Sequence, residues 1–419
     1  MSENKKLVPK RRFKEFQNAD AWKQHELGRI ADVIDPHPSH RAPEAKEVGI
    51  PFVGIGDVDV VGNIDYKTVR IIDEQVYEQH HKRYDLNIDS IGIGRVASLG
   101  KVIRLRTDIG KYAVSPTMAV LQFKQGSDLN YLYSYMNSEK FQAQFKSLSN
   151  GSTRLSVGIQ DLRKLELMIP DNIEEQIKIG RFILCLDQTI AFQQRKLEKM
   201  KAMKSAYLSE MFPAEGERKP KRRFPGFTDA WEQRELGKHS NILAGGTPNT
   251  KVLEYWEPKE VPWMSSGEIN KKRLYETDNK ISELGLNSSS ARWVKQQSIL
   301  IALAGQGKTR GTVAVNEIPL TTNQSIAAIE LDDSFDTNYV FYNLEMRYEE
   351  LRTISSGDGS RGGLNKQIIS DVVVPFPKLD EQEKIGEFFS NLDQTIAFQQ
   401  QKLEKLQNIK KAYLNEMFI

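Results

Sequence analysis

Between residues 175 and 211 apolar side chains recur at alternating steps of four and three. The series is Ile179, Ile183, Leu186, Ile190, Gln193, Leu197, Met200, Lys204, Tyr207 and Met211. A second series repeats the same steps through Ile385, Phe389, Leu392, Ile396, Gln399, Leu403, Leu406, Lys410, Tyr413 and Met417. This spacing predicts two helices with a coiled-coil seam sustained over about five heptads, each helix spanning roughly 55 Å at 1.5 Å per residue. Both seams carry polar residues at the same two places, Gln193/Gln399 and Lys204/Lys410, and such layers weaken a seam while fixing its register. Asn172 with Glu175, and Asp380 with Glu383, have the spacing of a capping box, and Pro170 and Pro377 stand just ahead of the two helices.

Elsewhere the pattern is shorter. Ser298–Leu303, Gly311–Val315 and Ile326–Leu331 are brief and rich in small or β-branched residues, which predicts strands. Leu129–Phe145 and Asn338–Leu351 place their apolar residues on one face, which predicts helices.

The two long segments are copies. Residues 175–212 and 381–418 align at an offset of 206 without a gap, and LDQTIAFQQ is identical in both. The repeat extends outward. KRRF at 10–13 recurs at 221–224, Asp20-Ala21-Trp22 as Asp229-Ala230-Trp231, and Glu26-Leu27-Gly28 as Glu235-Leu236-Gly237. Ile50-Pro51-Phe52 matches Val261-Pro262-Trp263, and Gly56-Asp57 matches Gly267-Glu268. The centres of the halves are otherwise dissimilar. The expected fold is α+β: two mixed α/β domains in a tandem pseudo-two-fold repeat, separated by two long helices that form an antiparallel coiled coil. The expected boundaries are 1–170, 171–215, 216–377 and 378–419. A dimerisation coiled coil is the alternative, but two seams of equal length in one chain favour pairing within it. Phe182, Ala191, Phe192, Phe388, Ala397 and Phe398 lie off the seam; they suit docking of further subunits or packing against the globular regions.

Composition narrows the class. The chain has 419 residues, 27% of them charged, with 59 basic against 56 acidic side chains and a net charge of +3. That balance alone does not predict nucleic-acid binding. The runs Lys10-Arg11-Arg12 and Lys219-Pro220-Lys221-Arg222-Arg223 read as solvated linkers. A single cysteine, Cys185, excludes an internal disulfide framework and a multi-cysteine zinc site. No apolar run approaches the ~18 residues of a membrane span. The opening MSENKKLVPKRRF has no apolar core and does not read as a secretory signal. A cytoplasmic location is expected.

Chemistry is sparse. Glycine-rich basic loops lie at matched places in both halves: GRVASLGKVIRLR (94–106) with GQGKTRGT (305–312), and SNGSTRLS (149–156) with SSGDGSRGGLNK (355–366). Glycine lets a backbone approach a phosphate. Ser, Thr, Lys and Arg donate to phosphate, and Arg, Asn and Gln can read base edges. Residues 302–309 satisfy a relaxed Walker A pattern, but a phosphate loop must lead into a helix, and TRGTVAV reads as strand. The chain contains no Pro-Pro and hence no Asp/Asn-Pro-Pro-aromatic motif of an amino-methyltransferase. His37 with His40, and His80-His81, read as ordinary histidines, not metal ligands.

The helices LDQTIAFQQ…KLEKMK…AYLSEMF and their copy, the entries IEEQIKIG and LDEQEKIG, the strand LRKLELMIP, and the openings DAWKQHELG and DAWEQRELG resemble the conserved regions of the specificity subunits of type I restriction-modification systems. The resemblance covers essentially the whole chain. It implies a non-catalytic DNA-binding subunit used in phage defence. Two target recognition domains would each read one half of a split, asymmetric site on double-stranded DNA. Two modification subunits using S-adenosylmethionine to methylate adenine, and two restriction subunits using ATP and Mg, would assemble on it. No cofactor or metal is expected in this chain. Carried to this sequence, the DNA-binding positions fall at Arg95, Lys101, Arg104, Ser152, Thr153 and Arg154 in the first domain. In the second they fall at Gln306, Lys308, Arg310, Asn323, Gln324, Ser360, Arg361 and Lys366. The TTNQ run at 321–324 resembles the family's T-N-Q stretch, where the first half has SPTM at 115–118. A nucleotide-dependent enzyme resting on 302–309 and a pure protein scaffold are the competing classes. The strand-like sequence after the loop argues against the first, and the matched basic loops argue against the second.

Overall fold

The structure, a computed structural model, describes residues 7–36, 42–85, 87–96, 98–148, 156–304, 309–354 and 363–419. The chain folds into two compact units, residues 1–197 with 399–419, and residues 198–398. Each unit therefore contains a recognition region and part of each long helix.

In the first unit β1 (Lys23–Glu26) leads through the short helix α1 (Leu27–Ile30) into β2 (Ala31–Ile34). Then come β3 (Ile50–Val53), β4 (Arg70–Ile72), α2 (Glu74–His81), β5 (Ser90–Gly94), β6 (Val102–Leu105), β7 (Ala113–Val114) and β8 (Met118–Phe123). The expected helix over 129–145 is two helices, α3 (Leu129–Met136) and α4 (Glu139–Ser147). The break falls at Ser138, whose hydroxyl caps the second helix through the Phe141 amide. The run before the long helix likewise divides into α5 (Ile159–Arg163) and β9 (Glu166–Ile169). The main sheet is antiparallel with order β2-β8-β5-β6, and a smaller sheet has order β4-β3-β7 with β3 and β7 parallel. The period-two side-chain alternation of a strand feeds two cores. Ala119 and Leu121 of β8 join the core shared with α3, α4 and the long helices, while Met118 and Val120 join the core facing the small sheet.

The second unit repeats this plan. The long helix α6 (Ile173–Met211) ends in it, followed by β10 (Glu232–Glu235), β11 (Ser240–Ala244), β12 (Val261–Met264), β13 (Arg273–Leu274), β14 (Asn279–Ile281) and α7 (Glu283–Asn287). Strands β15 (Ile299–Ala302), β16 (Val313–Asn316), β17 (Thr321–Thr322) and β18 (Ile326–Leu331) complete the sheets. The residues after the Walker-like loop are thus strand, as TRGTVAV implies. Helices α8 (Thr337–Met346) and α9 (Tyr348–Thr353) divide the expected 338–351 segment, and α10 (Lys366–Ser370) and β19 (Val373–Phe376) lead to α11 (Leu379–Met417). The main sheet, β11-β18-β15-β16-β13, has one strand more than its counterpart, and β13 runs parallel to β16.

The two long helices pair antiparallel in each unit. In the first, Phe182 meets Tyr413 at 4.8 Å between ring centroids, and Asp187 meets Lys410 at 2.5 Å. In the second, Lys204 meets Asp393 at 2.7 Å, and Tyr207 meets Phe388 at 5.4 Å between centroids. Residue numbers rise on one helix as they fall on the other. Ile183, Leu197, Phe389 and Leu403 are buried in the seam, and Leu186, Ile190, Leu392 and Ile396 are half-buried.

Two local expectations are corrected. The capping boxes do not form as read: Asn172 does cap α6, accepting from the Glu174 amide at 2.9 Å, but Asp380 already lies inside α11, which begins at Leu379. Glu175 and its copy Glu381 have a different use, which also overturns the reading of the basic runs as solvated. Arg12 grips Glu175 with two bonds of 2.7 Å, and Arg223 grips Glu381 at 2.6 and 2.8 Å. Both carboxylates are buried, and charged fork pairs of this kind are strong because both bonds are ion-assisted.

The neighbouring EQ-x-K-I-G sequence anchors each recognition region. Gln176 donates to the Pro170 carbonyl at 2.8 Å and accepts from the Asp128 amide at 3.0 Å; Gln382 does the same with Pro377 and Asp336, both at 3.0 Å. Gly180 and Gly386 are needed there. A Cβ would come within 2.4 Å of Asp128 Oδ1 at the first and 2.3 Å of Asp336 Oδ1 at the second. The repeated sequence is therefore constant where a recognition helix rests on a long helix.

Candidate nucleic-acid interface

Described residues that flank the loops singled out by composition meet at one end of each main sheet. In the first unit β5 ends at Gly94 and the turn returns through Lys101, whose carbonyl accepts from the Gly94 amide at 2.8 Å. The Arg95 amide donates to the Thr117 carbonyl, and the Arg95 carbonyl accepts from the Val157 amide, both at 2.9 Å. The loop thus touches both the 115–118 segment and the start of α5. In the second unit Leu303 plays this part. Its amide donates to Ser325 at 2.8 Å, and its carbonyl accepts from Leu364 at 3.0 Å. Sequence distances of tens of residues are closed in the same way twice, although the loops share no sequence.

The individual residues differ in availability. Lys101, Gln324 and Lys366 are exposed, and Lys366 opens α10. Gln324 accepts from the Thr247 hydroxyl at 2.5 Å, so its carboxamide is held from the opposite loop. Asn323 is committed locally: its amide reaches the Met264 carbonyl at 3.0 Å, and its side chain accepts from the Ser325 amide at 3.1 Å. The 115–118 segment has a different device at the equivalent place, a 3.0 Å bond between the Ser115 and Thr117 hydroxyls. Arg95 is paired with Asp35 at 2.9 Å, and Arg310 is half-buried. Ser152, Thr153, Arg154, Gln306, Lys308, Ser360 and Arg361 lie outside the described residues.

Arg104 is a correction. It is buried, not displayed beside Lys101. It donates to Asn130 Oδ1 at 2.7 Å and lies 3.7 Å from the centroid of the Tyr133 ring. Burial drives its guanidinium below the ordinary arginine value, against the pull of Tyr133 and Asp187. The strand pattern carried the signal. In VIRL, Ile103 and Leu105 face the small-sheet core, so Val102 and Arg104 share the opposite face, toward the long helices. The surface so assembled offers amines, carboxamides and hydroxyls at the end of a rigid sheet. That chemistry suits a phosphate backbone and base edges. Among the described residues no group of three or more His, Cys, Asp or Glu side chains could hold a metal ion, and no helix is long and apolar enough to cross a membrane.

Comparison with known proteins gives the same picture. The chain is 27% identical over 194 residues to the MjaIX specificity subunit of Methanocaldococcus jannaschii, covering 45% of this chain and 44% of that protein. It is 23% identical over 238 residues to the EcoR124I/EcoR124II specificity subunit of Escherichia coli, covering 55% and 56%. The matches thus span about half the length of these curated relatives. Among solved structures, the S subunit of a type I restriction-modification system from M. genitalium aligns over 99% of both chains, with a TM-score of 0.66 at 17% identity. A chain from a structural study of type I complex assembly and conformational transition aligns over 95% of this chain and 97% of its own, with a TM-score of 0.53 and 17% identity. The sequence model of one family matches residues 20–202 and again 228–408, and with most of its length matched the chain belongs to that family, the type I restriction modification DNA specificity domain.

Proposed function

We propose that this chain is the non-catalytic specificity subunit of a type I restriction-modification complex, reading a bipartite, asymmetric site on double-stranded DNA. One observation carries the reading: two units of closely similar sheet plan bring unlike segments together at the same sheet end. Equivalent placement suits two readers of one duplex, and unlike side chains suit two different half-sites. Lys101, Arg310, Gln324 and Lys366 are the described residues best placed to contact DNA, with the 149–156, 305–308 and 355–362 loops supplying the remainder.

The long helices serve assembly. Phe192 and Phe398 occupy the same place in LDQTIAFQQ and are 59% and 63% exposed. Such a pair of exposed rings suits two copies of one partner, the modification subunits, which supply S-adenosylmethionine and the methyl transfer to adenine. Two restriction subunits, with ATP and Mg, complete the complex. Phe182 and Phe388, by contrast, pack within the protein against Tyr413 and Tyr207.

Methylome sequencing of cells expressing this chain with its modification subunit tests the proposal. The expected motif has two unequal half-sites at one fixed gap. Inserting four residues, about one turn, into both long helices is expected to change the gap and leave the half-sites alone. A continuous or palindromic motif would overturn the reading.

A further inference from the structure

An arginine lies between sheet and recognition helix in each unit, Arg104 buried and Arg273 half-buried, and the two arrive by different routes. In the first unit the residue opposite Ile91 on the next strand is Arg104. In the second the residue opposite Ile299, the equivalent of Ile91, is Val315. Arg273 lies beside Val315 on β13, a strand with no counterpart among the described residues of the first unit's main sheet. Arg273 also pairs with Glu317 at 3.0 Å, but an asparagine and a ring receive both arginines. Arg104 bonds Asn130 at 2.7 Å, and Arg273 bonds Asn338 at 2.5 Å; each asparagine stands two residues after the aspartate that caps its helix. Arg104 lies 3.7 Å from the Tyr133 ring centroid, and Arg273 lies 5.1 Å from that of Phe341, the equivalent ring.

Beyond the arginine stands the aspartate of the repeated LDQTIAFQQ, Asp187 or Asp393. Asp187 is buried and bonded to Lys410, and Arg104 and Lys410 both oppose the upward pull of burial on its acidity. Asp393 accepts from Tyr342 at 2.9 Å, and Tyr342 in turn interacts with Arg273. Arg104, buried in such a place, is an expensive way to fill space. Desolvating an ion costs several kcal/mol, and an apolar residue of similar volume is often neutral or better for stability. An arginine supplied in both units, from non-equivalent strands to equivalent asparagines, points to a requirement for its geometry.

We propose that Arg104 and Arg273 are positioning residues that fix the angle of each recognition sheet on the helix seam, and with it the register at which each half-site is read. This rests on the specificity-subunit reading. A planar guanidinium stacked on a ring and bonded at its edge resists both rotation and sliding, whereas an apolar contact resists neither. Each arginine then governs one half-site only.

The test compares Arg104→Met and Arg273→Met in the assembled methyltransferase, by methylome sequencing. Each variant is expected to raise methylation at sites altered in one half, or displaced by one base pair, about tenfold relative to the intact site. The affected half should differ between the two variants. Arg104→Lys and Arg273→Lys, which keep the charge and lose the stacked plane, are expected to shift the motif in the same direction even if the methionine variants fail to fold. An unchanged motif and gap in the lysine variants would overturn the proposal, whatever happens to yield. A wild-type motif without two parts would instead refute the underlying reading, so the two failures are distinguishable.

Discussion

The last turns of the two long helices enter equivalent positions in different company. In the first unit Phe418 sits among Trp22, Tyr131 and Tyr135, with ring centroids 6.4, 5.5 and 5.6 Å away. The Tyr135 hydroxyl also donates to the Ile419 carbonyl at 3.0 Å. In the second unit Phe212 meets Tyr339 at 5.3 Å and Phe389 at 6.2 Å, and Asn343 stands where Tyr135 does. The shorter side chain borders a cavity of about 870 Å³, lined also by Phe212, Met346 and Arg347. Asn343 Oδ1 is buried there without a hydrogen-bond partner. The tryptophans differ as well. Trp231 donates to Glu381 at 3.1 Å, while the Trp22 indole nitrogen has no partner. Anchors between backbone and charged groups are held constant across the repeat. Aromatic packing around them has drifted, within the limits of filling the space.

The ionic anchors give the largest expected effect. Glu175→Ala and Glu381→Ala each strand a guanidinium against a buried site, and each is expected to cost its unit about 3–5 kcal/mol. The second should cost more, because Trp231 loses its acceptor too. Urea denaturation followed by hydrogen exchange in each unit measures both, and equal costs would show that the tryptophan bond contributes nothing. An exchange of the drifted residues comes next. Tyr135→Asn is expected to destabilise the first unit by about 3 kcal/mol, in the range of large aromatic truncations. Asn343→Tyr should stabilise the second by about 0.5–2 kcal/mol by filling its cavity. A loss in both would mean that the two sites are not equivalent in shape.

Acid separates the units more gently. Burial pushes Glu345 upward, but Lys204 and Lys272 outweigh it and hold the carboxyl below its ordinary value of 4.5. Its contribution to the second unit is present above that value and is lost as pH falls through the lower folded one. Asp187 is shifted the other way, with burial outweighing Lys410 and Arg104 and raising it above 3.8. The first unit gains on this account as pH falls through that raised value toward 3.8. Glu345→Gln should therefore flatten the acid sensitivity of the second unit, and Asp187→Asn should remove the acid gain of the first. Denaturation curves between pH 5 and 3 would reveal a common response if the two polar layers behave alike.

Much of this molecule was readable in its sequence. The seam was legible because Ile183, Leu197, Phe389 and Leu403 recur at a fixed step and because two copies can be laid side by side. Arg12 and Arg223 were not, since a short basic run looks solvated until its carboxylate partner, 163 or 158 residues away, is placed beside it. Glu175 has the spacing of a cap and binds Arg12 instead, as its copy Glu381 binds Arg223. The parallel pairing of β3 with β7 leaves no periodic trace, because strand partners are chosen across long loops. The candidate loops were found by their glycines and basic residues. Their convergence was not, and Arg104 was misassigned because its loop-like neighbours hid an inward-facing strand position.

The division of the long helices also bears on synthesis. All of the second unit has been made once residue 398 has emerged from the ribosome, whereas the first includes residues 399–419. Its sheet, its recognition helices and Trp22 are translated early, yet Leu414, Met417 and Phe418 belong to the same core. The half translated first is therefore the half completed last, and until then its aromatic cluster lacks the side chains that close it.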